Sequence, residues 1–157
     1  TRTKSSAASD VYKRQTFIVG FPTETDQDFE ELVDFVSEGH FQHLGIFLYS
    51  DEDNIRSSKF GDPIPLSLKE ERKNRLMEIQ QKISREHHQK MVGSLQQVLV
   101  GGFSSETDLL LEGRNQYQGP EVDGVVYINE GNATSAGFHQ VEITEAHEYD
   151  LVGKILN

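Results

Sequence analysis

The residues best suited to ligand chemistry form the segment Gly20-Phe21-Pro22-Thr23-Glu24-Thr25, which follows a short apolar run. We predict that this run is a buried strand and that a helix begins after the segment. A turn at this position exposes backbone N–H groups, and its glycine lets a ligand approach closely. Tyr49 and Ser50 end a second predicted strand and would reach the same sheet edge. Because any such turn needs these residue types, the motif by itself favours a structural role.

The histidines and the absence of cysteine bear on metal chemistry. His87 and His88 are adjacent on a predicted helix and would project about 100° apart, which does not suit a shared ion. His40 and His43 flank a predicted turn without the spacing of metal ligands. With no cysteine, the chain has no thiolate site and no ligands for an iron–sulfur cluster. We therefore predict no metal site and expect the histidines to be solvated at the surface.

Acidic residues dominate the last part of the chain. The 157 residues include 26 acidic and 15 basic ones, for a net charge of -11. Residues 93–157 hold ten acidic residues but only Arg114 and Lys154 as basic ones. One interpretation is a solvated surface that keeps the domain soluble. The alternative is electrostatic attraction of a basic partner, and the same charge argues against binding to phosphate backbones.

The first half of the chain has the pattern of an α/β fold. Residues 16–22 and 43–50 are apolar runs typical of buried strands, and a helix with a capping box at Thr25 and Asp28 lies between them. This order describes a parallel βαβ unit. After a polar loop, a long charged helix is predicted to start at a second capping box, formed by Ser67 and Glu70, and to end near Gly93.

The second half has the two-residue period of strands. We predict five short strands, which in chain order are Leu95–Val100, Leu109–Glu112, Val122–Ile128, Phe138–Thr144 and Tyr149–Ile155. Five short strands over this length predict a small closed barrel of the oligonucleotide-binding type. Such barrels bind RNA through a basic groove with aromatic platforms, so here the fold favours RNA whereas the charge disfavours it.

These patterns divide the chain into three regions. Residues 1–15 are polar, show no hydrophobic period and are expected to be a disordered leader foreign to the rest of the chain. Residues 16–92 form the α/β part and residues 93–157 the barrel. No apolar run is long enough to cross a bilayer, so we expect a soluble protein without membrane contact.

Several stretches resemble the radical S-adenosylmethionine methylthiotransferases. They are TFIVGFPTETDQDFEELVDFV (16–36), LGIFLYS (44–50), KEERKNRLMEIQQKIS (69–84), GPEVDGVVYIN (119–129) and ITEAHEYDLVGKIL (143–156). The resemblance covers residues 16–157. It implies that residues 16–92 are the C-terminal part of a radical S-adenosylmethionine partial TIM barrel, with the order βαβα. It also implies that residues 93–157 are a five-stranded TRAM barrel that presents the substrate.

The resemblance further implies a cytoplasmic enzyme that replaces a carbon-bound hydrogen by a methylthio group. Its cofactors would be S-adenosylmethionine and two 4Fe-4S clusters. In one branch the substrate is an aspartate of ribosomal protein S-twelve, and in the MiaB branch it is a tRNA. The stretches around Asp123 and Asp150 resemble the ribosomal-protein branch, and the acidic barrel agrees, because a cationic ribosomal protein would be attracted to it. A third possibility is a TRAM interaction module without catalysis.

The site residues follow from the same resemblance. Neither a catalytic residue nor a metal ligand is assigned. The implied S-adenosylmethionine contacts are Gly20, Phe21, Glu24 and Tyr49, and the implied surface for the protein substrate is Glu121, Asp123, Glu145, Glu148 and Asp150. The chain departs from the family pattern at Thr23, where a glycine is usual, and over residues 51–55. Because the family's cysteine motif is missing, we expect this chain alone to be inactive.

Overall fold

A parallel strand–helix–strand unit forms the first part of the structure, a computed structural model that describes residues 13–52, 56–132 and 136–156. Strand β1 (Arg14–Val19) leads to helix α1 (Asp26–Ser37) and then to strand β2 (His43–Leu48). The two strands pair in parallel, which confirms the predicted βαβ unit. The sheet places the ends of both strands, and therefore the candidate turn, at one edge.

Strand β1 begins earlier than predicted. Arg14 and Gln15, which we assigned to the disordered leader, pair with His43 and Leu44 of β2. The carbonyl of Lys13 also accepts the N–H of His43, at 3.3 Å. Backbone pairing does not require apolar side chains, so the hydrophobic pattern underestimates the strand. Residues 1–12 of the predicted leader lie outside the described residues.

Helix α1 begins with the predicted capping box. The N–H of Asp28 donates to Thr25 Oγ1 at 3.2 Å, and the N–H of Thr25 donates to Asp28 Oδ2 at 2.9 Å. Accepting bonds from Thr25, first from its side chain and then from its backbone, lowers the pKa of Asp28. Two orphan N–H groups at the helix start are thereby satisfied.

Helix α2 (Leu66–Gln89) follows a loop that contains a short 3-10 helix at Arg56–Phe60. It starts before Ser67, so the predicted capping box of Ser67 and Glu70 is wrong. The carbonyl of Pro65 accepts the N–H of Lys69 at 3.2 Å, which is already an α-helical bond. The helix therefore begins two residues earlier than a capping box at Ser67 would place it.

The core of this first part lies between the sheet and the two helices. Leu76 of α2 is fully buried there. The other buried members are Val19, Phe29, Val33, Val36, Leu44 and Ile46. On the opposite face, Ile18 and Phe47 are register partners and are 58% and 63% exposed.

Five strands form a closed barrel in the second part, as predicted. They are β3 (Leu95–Phe103), β4 (Leu111–Asn115), β5 (Val126–Glu130), β6 (Gly137–Ala146) and β7 (Leu151–Ile155). Their order around the barrel is β3-β4-β5-β7-β6, and β5 and β7 pair in parallel. The predicted strand 122–128 starts only at Val126, because Asp123 Oδ2 accepts the N–H of Gly119 at 2.6 Å and closes a loop.

The chain divides into two compact units between Gln80 and Gln81, inside α2. The last turns of α2 belong to the barrel unit: Ser84 Oγ donates to the carbonyl of Glu148 at 2.7 Å. The domain boundary that we placed near Gly93 stays a prediction. Among the described residues, no helix is both long and apolar enough to cross a membrane.

His88 corrects the expectation that the histidines lie at the surface, since it is only 1% exposed. Its Nδ1 lies 3.2 Å from the carbonyl oxygen of His147. Burial lowers the pKa of His88, although the bond to His147 and the charge of Asp150 act in the opposite direction. Burial, followed by the charges of His88 and Lys90, also lowers the pKa of His87.

These shifts predict a pH-dependent barrel unit. Below the ordinary histidine pKa of 6.5, the unfolded chain binds protons more readily than the folded one, so stability falls as pH falls. We expect His88→Gln to flatten the dependence of the unfolding free energy on pH between about pH 6.5 and 5, measured by urea titration. The control is His147→Gln, because this side chain is exposed and its backbone bonds remain. If the unfolding free energy of His88→Gln depends on pH as steeply as that of the unsubstituted chain, His88 is not the source of the pH dependence.

Candidate functional site

The carboxyl ends of β1 and β2 bring together the four residues that the resemblance assigned to the cofactor. The N–H of Tyr49 donates to the carbonyl of Val19 at 2.9 Å, which joins the two strand ends. Gly20 has a φ of +79°, a conformation that favours glycine. The rings of Phe21 and Tyr49 meet edge to face, with centroids 5.3 Å apart. These contacts form a turn with an aromatic wall.

Phe60 completes this aromatic wall, which sequence reasoning missed. Its ring centroid lies 6.2 Å from that of Phe21, and its side chain is 46% exposed. Phe60 lies in the segment predicted as a featureless polar loop, so hydrophobic periodicity gave no signal for it. The altered stretch after Ser50 is described only at Asp51 and Glu52.

Glu24 has both carboxylate oxygens engaged within the protein. Oε2 accepts the N–H of Gly20 at 3.0 Å, and Oε1 accepts from Arg72 Nη1 at 2.5 Å. The Glu24 and Arg72 side chains are 11% and 4% exposed, so this ion pair is largely buried. Arg72 also bonds to Asp26, whose side chain is 93% exposed. Glu24 therefore holds the turn against α2.

Lys69 is a second buried cation at this edge. Its Nζ donates to the carbonyl of Tyr49 at 2.8 Å and to Asp62 Oδ1 at 2.5 Å, while its side chain is only 3% exposed. Its stem lies under Gly20, where an added Cβ would come within 2.4 Å of Lys69 Cγ. The spacing of three residues places Lys69 and Arg72 on one face of the helix, which was the only hint in the sequence that both contact this edge. Lysine and arginine side chains are usually exposed, so the hint was not enough to predict their burial.

The Tyr49 hydroxyl is the polar atom at this edge that has no hydrogen-bond partner among the described residues. Tyr49 is 8% exposed, and Lys69 Nζ lies 5.5 Å from its ring centroid. An unsatisfied buried hydroxyl is costly unless a ligand or water satisfies it. The edge therefore offers the exposed rings of Phe21 and Phe60 to a small ligand, while the Tyr49 hydroxyl is buried without a partner among the described residues.

The five acidic residues predicted on the barrel fall into two groups. Glu121 and Asp123 lie in the loop before β5, and Asp150 adjoins that loop, since its Oδ1 accepts the N–H of Val125 at 2.9 Å. Glu145 lies on β6, and Glu148 follows β6 in the turn to β7. The prediction treated the five as one surface. The structure places only Glu121 and Asp123 in the lining of a groove.

This groove has a volume of about 400 Å³ and crosses the outer surface of β3 and β4. Leu99 and Gly101 of β3 and Glu112 and Arg114 of β4 line it, and the loop that carries Glu121 and Asp123 forms a wall. Sequence reasoning did not single out Leu99, Gly101 or Glu112. Glu112 lies 13 and 11 positions after Leu99 and Gly101, and only the pairing of β3 with β4 brings it beside them.

Metal chemistry finds no support in these contacts. In the described ranges, no group of three or more histidine, aspartate or glutamate side chains is arranged to hold an ion. His87 and His88 have ring centroids 6.4 Å apart, and the ring of His88 is engaged by the backbone of His147.

Comparison with known proteins gives matches to both parts of the chain. Residues 92–156 match the family model of the TRAM domain. A protein named ribosomal protein uS12 methylthiotransferase RimO from Desulfotalea psychrophila is 46% identical over 148 residues, which are 94% of this chain and 33% of that protein. Proteins of the same name from Bdellovibrio bacteriovorus and Aquifex aeolicus are 50% and 45% identical over 91% and 90% of this chain, and over 31% and 33% of their own. The chain thus spans about a third of the length of these relatives.

Proposed function

Because this chain belongs to the RimO family of methylthiotransferases, with which it aligns over at least 90% of its length, we propose that it serves uS12 methylthiolation. In this proposal the TRAM barrel recognises the protein substrate, and the edge of β1 and β2 contributes to the S-adenosylmethionine site. The observation that carries it is the charge of the TRAM segment, with ten acidic residues against two basic ones in residues 93–157.

The charge favours a protein over a nucleic acid as partner. A field of this sign attracts a cationic ribosomal protein and repels a phosphate backbone, which would require neutralising Lys and Arg contacts. The names of the relatives agree, since uS12 is a ribosomal protein. Such a substrate would be met in the cytoplasm.

The strand edge fits part of a cofactor site. Phe21 would offer its exposed ring, and the buried Tyr49 hydroxyl has no partner among the described residues. Gly20 is itself buried and would contribute the shape of the turn. Glu24 would act by fixing the Gly20 amide, since Arg72 already pairs with its carboxylate. Bound S-adenosylmethionine would supply the radical chemistry of this enzyme class. Thr23 is exposed in the turn and would alter its outer surface only.

The two 4Fe-4S clusters of the family do not fit this chain. It contains no cysteine, and its described residues offer no alternative set of ligands. We propose that these 157 residues alone do not catalyse methylthiolation. The chain's own contribution is substrate binding and one edge of the cofactor site.

The proposal is tested by binding titrations of the full chain against purified uS12 and, in parallel, against a tRNA anticodon stem-loop. We expect binding to uS12 only, weakening as salt is raised, because exposed charges are screened. Binding to the RNA alone would contradict the proposal and move the assignment to the tRNA-modifying branch.

A further inference from the structure

The groove on the outer face of β3 and β4 has features that a generally acidic surface does not explain. Its lining contains three carboxylates, Glu112, Glu121 and Asp123, and one cation, Arg114. Its volume of about 400 Å³ is within the range of specific binding pockets. A surface that served only solubility would not need a concave shape.

The floor of the groove is apolar and contains a β-bulge. Leu99 lies opposite Phe138 of β6 in the register, and Phe138 is 69% exposed. Gly101 is the extra residue of a β-bulge, because Val100 pairs with Gly113 and Gly102 pairs with Glu112. A bulge interrupts the regular ladder, so a bound main chain can approach the strand closely at this glycine. A Cβ on Gly101 would have no neighbour nearer than 3.9 Å, so the floor is open.

The chemistry of the lining selects the occupant. The three carboxylates would pair with Lys or Arg side chains of a ligand, and Leu99 offers an apolar contact beside them. Phe138, the register partner of Leu99 on β6, lies outside the lining. Arg114 is the register partner of Leu99 and can donate to a backbone carbonyl of the same ligand. A nucleic acid would place phosphates against three carboxylates. An extended segment with basic residues next to an apolar one satisfies all of these groups.

We propose that this groove, and not the acidic surface as a whole, binds an extended basic polypeptide segment of the partner. The inference rests on the proposed function only in taking that partner to be uS12. Glu145 and Glu148, which the resemblance also assigned to substrate binding, then contribute only to the long-range field.

Two matched double variants distinguish binding in the groove from general electrostatic attraction by the acidic barrel surface. Glu112→Gln with Glu121→Gln removes two charges from the groove, and Glu145→Gln with Glu148→Gln removes the same number outside it. Asp123 is left intact because it closes its loop through Gly119. We expect the first pair to weaken uS12 binding to the full chain about tenfold and the second pair less than about twofold. If both pairs weaken uS12 binding equally, the proposal that the groove binds the segment is wrong, while the proposed function still stands.

A variant of unchanged charge tests the shape. Gly101→Phe would fill the groove, and we expect about tenfold weaker binding, with circular dichroism confirming that the barrel remains folded. The short peptide Lys-Val-Arg-Lys provides a probe independent of uS12, and it should shift the amide resonances of Leu99, Gly101 and Arg114. Peptide binding at these amides without uS12 binding would contradict the proposed function but support the groove. If the peptide leaves these amides unchanged, or if Gly101→Phe binds normally, the groove proposal is wrong.

Discussion

Replacing Gly124 with alanine should destabilise the barrel unit by about 3 kcal/mol. A Cβ at this position would lie 1.9 Å from the carbonyl oxygen of Tyr149 and 2.6 Å from Asp150 Oδ1. The nearest obstacle is backbone and cannot rotate away, so β5 and β7 would have to separate where they start. Two bonds hold them there: the N–H of Val125 donates to Asp150 Oδ1, and the N–H of Leu151 donates to the carbonyl of Val125, both at 2.9 Å.

Gly101→Ala is the matched control, because its Cβ would meet no atom nearer than 3.9 Å. We expect its effect to stay within about 0.5 kcal/mol. Urea unfolding measures both variants, and hydrogen exchange at Val126–Glu130 and Leu151–Ile155 assigns the loss to the barrel. Equal midpoints for Gly124→Ala and the unsubstituted chain would show that the strands are not in close contact at this glycine.

Replacing Arg72 with methionine should destabilise the first unit by about 3 kcal/mol, because the carboxylate of Glu24 would remain buried without its cation. Arg75→Met is an unusually close control. Both arginines lie over the ring of Phe29, at 5.2 and 5.6 Å, and both pair with a glutamate. The Arg75 and Glu30 side chains are 47% and 54% exposed, so water replaces the lost partner and we expect little measurable change.

The double variant Arg72→Met with Glu24→Gln tests whether the buried, unpaired carboxylate of Glu24 causes this loss of stability. Removing the stranded charge should recover part of the stability, since the penalty comes from the unpaired carboxylate and not from the missing arginine. The free energy of unfolding from urea titration, with hydrogen exchange at Val19 and Phe29 as the local measurement, checks all three variants. Equal losses in Arg72→Met and Arg75→Met would contradict the role of burial.

The features predicted correctly from the sequence are those encoded within a few residues. The two residues of the capping box, Thr25 and Asp28, are three positions apart, and the parallel βαβ unit follows from two apolar runs around one amphipathic helix. The five-stranded barrel follows from alternation within each strand and from the turns between them. Local backbone geometry and side-chain period determine such elements, so they are visible before any long-range contact is known.

The capping box predicted at the start of α2 was wrong because the carbonyl of Pro65 already accepts a helical bond. The burial of Lys69, Arg72 and His88 was missed because it does not depend on their own neighbourhood alone. Lys69 and Arg72 have the spacing of exposed helix residues, yet they pair with groups 20 and 48 positions away. His88 is covered by a turn 59 positions away. Burial of a charge is decided by the partner that tertiary packing brings to it, and one sequence does not reveal that partner.

The sequence by itself therefore determined the order of elements, the two fold classes and the acidic character of the barrel. The tertiary structure alone decided which acidic residues line a groove, which glycine meets backbone and which cations are buried at the strand edge. The physical reason is the range of the interactions: hydrophobic period and capping act over one turn or one strand. Ion pairs and grooves form between segments that only the folded chain brings into contact.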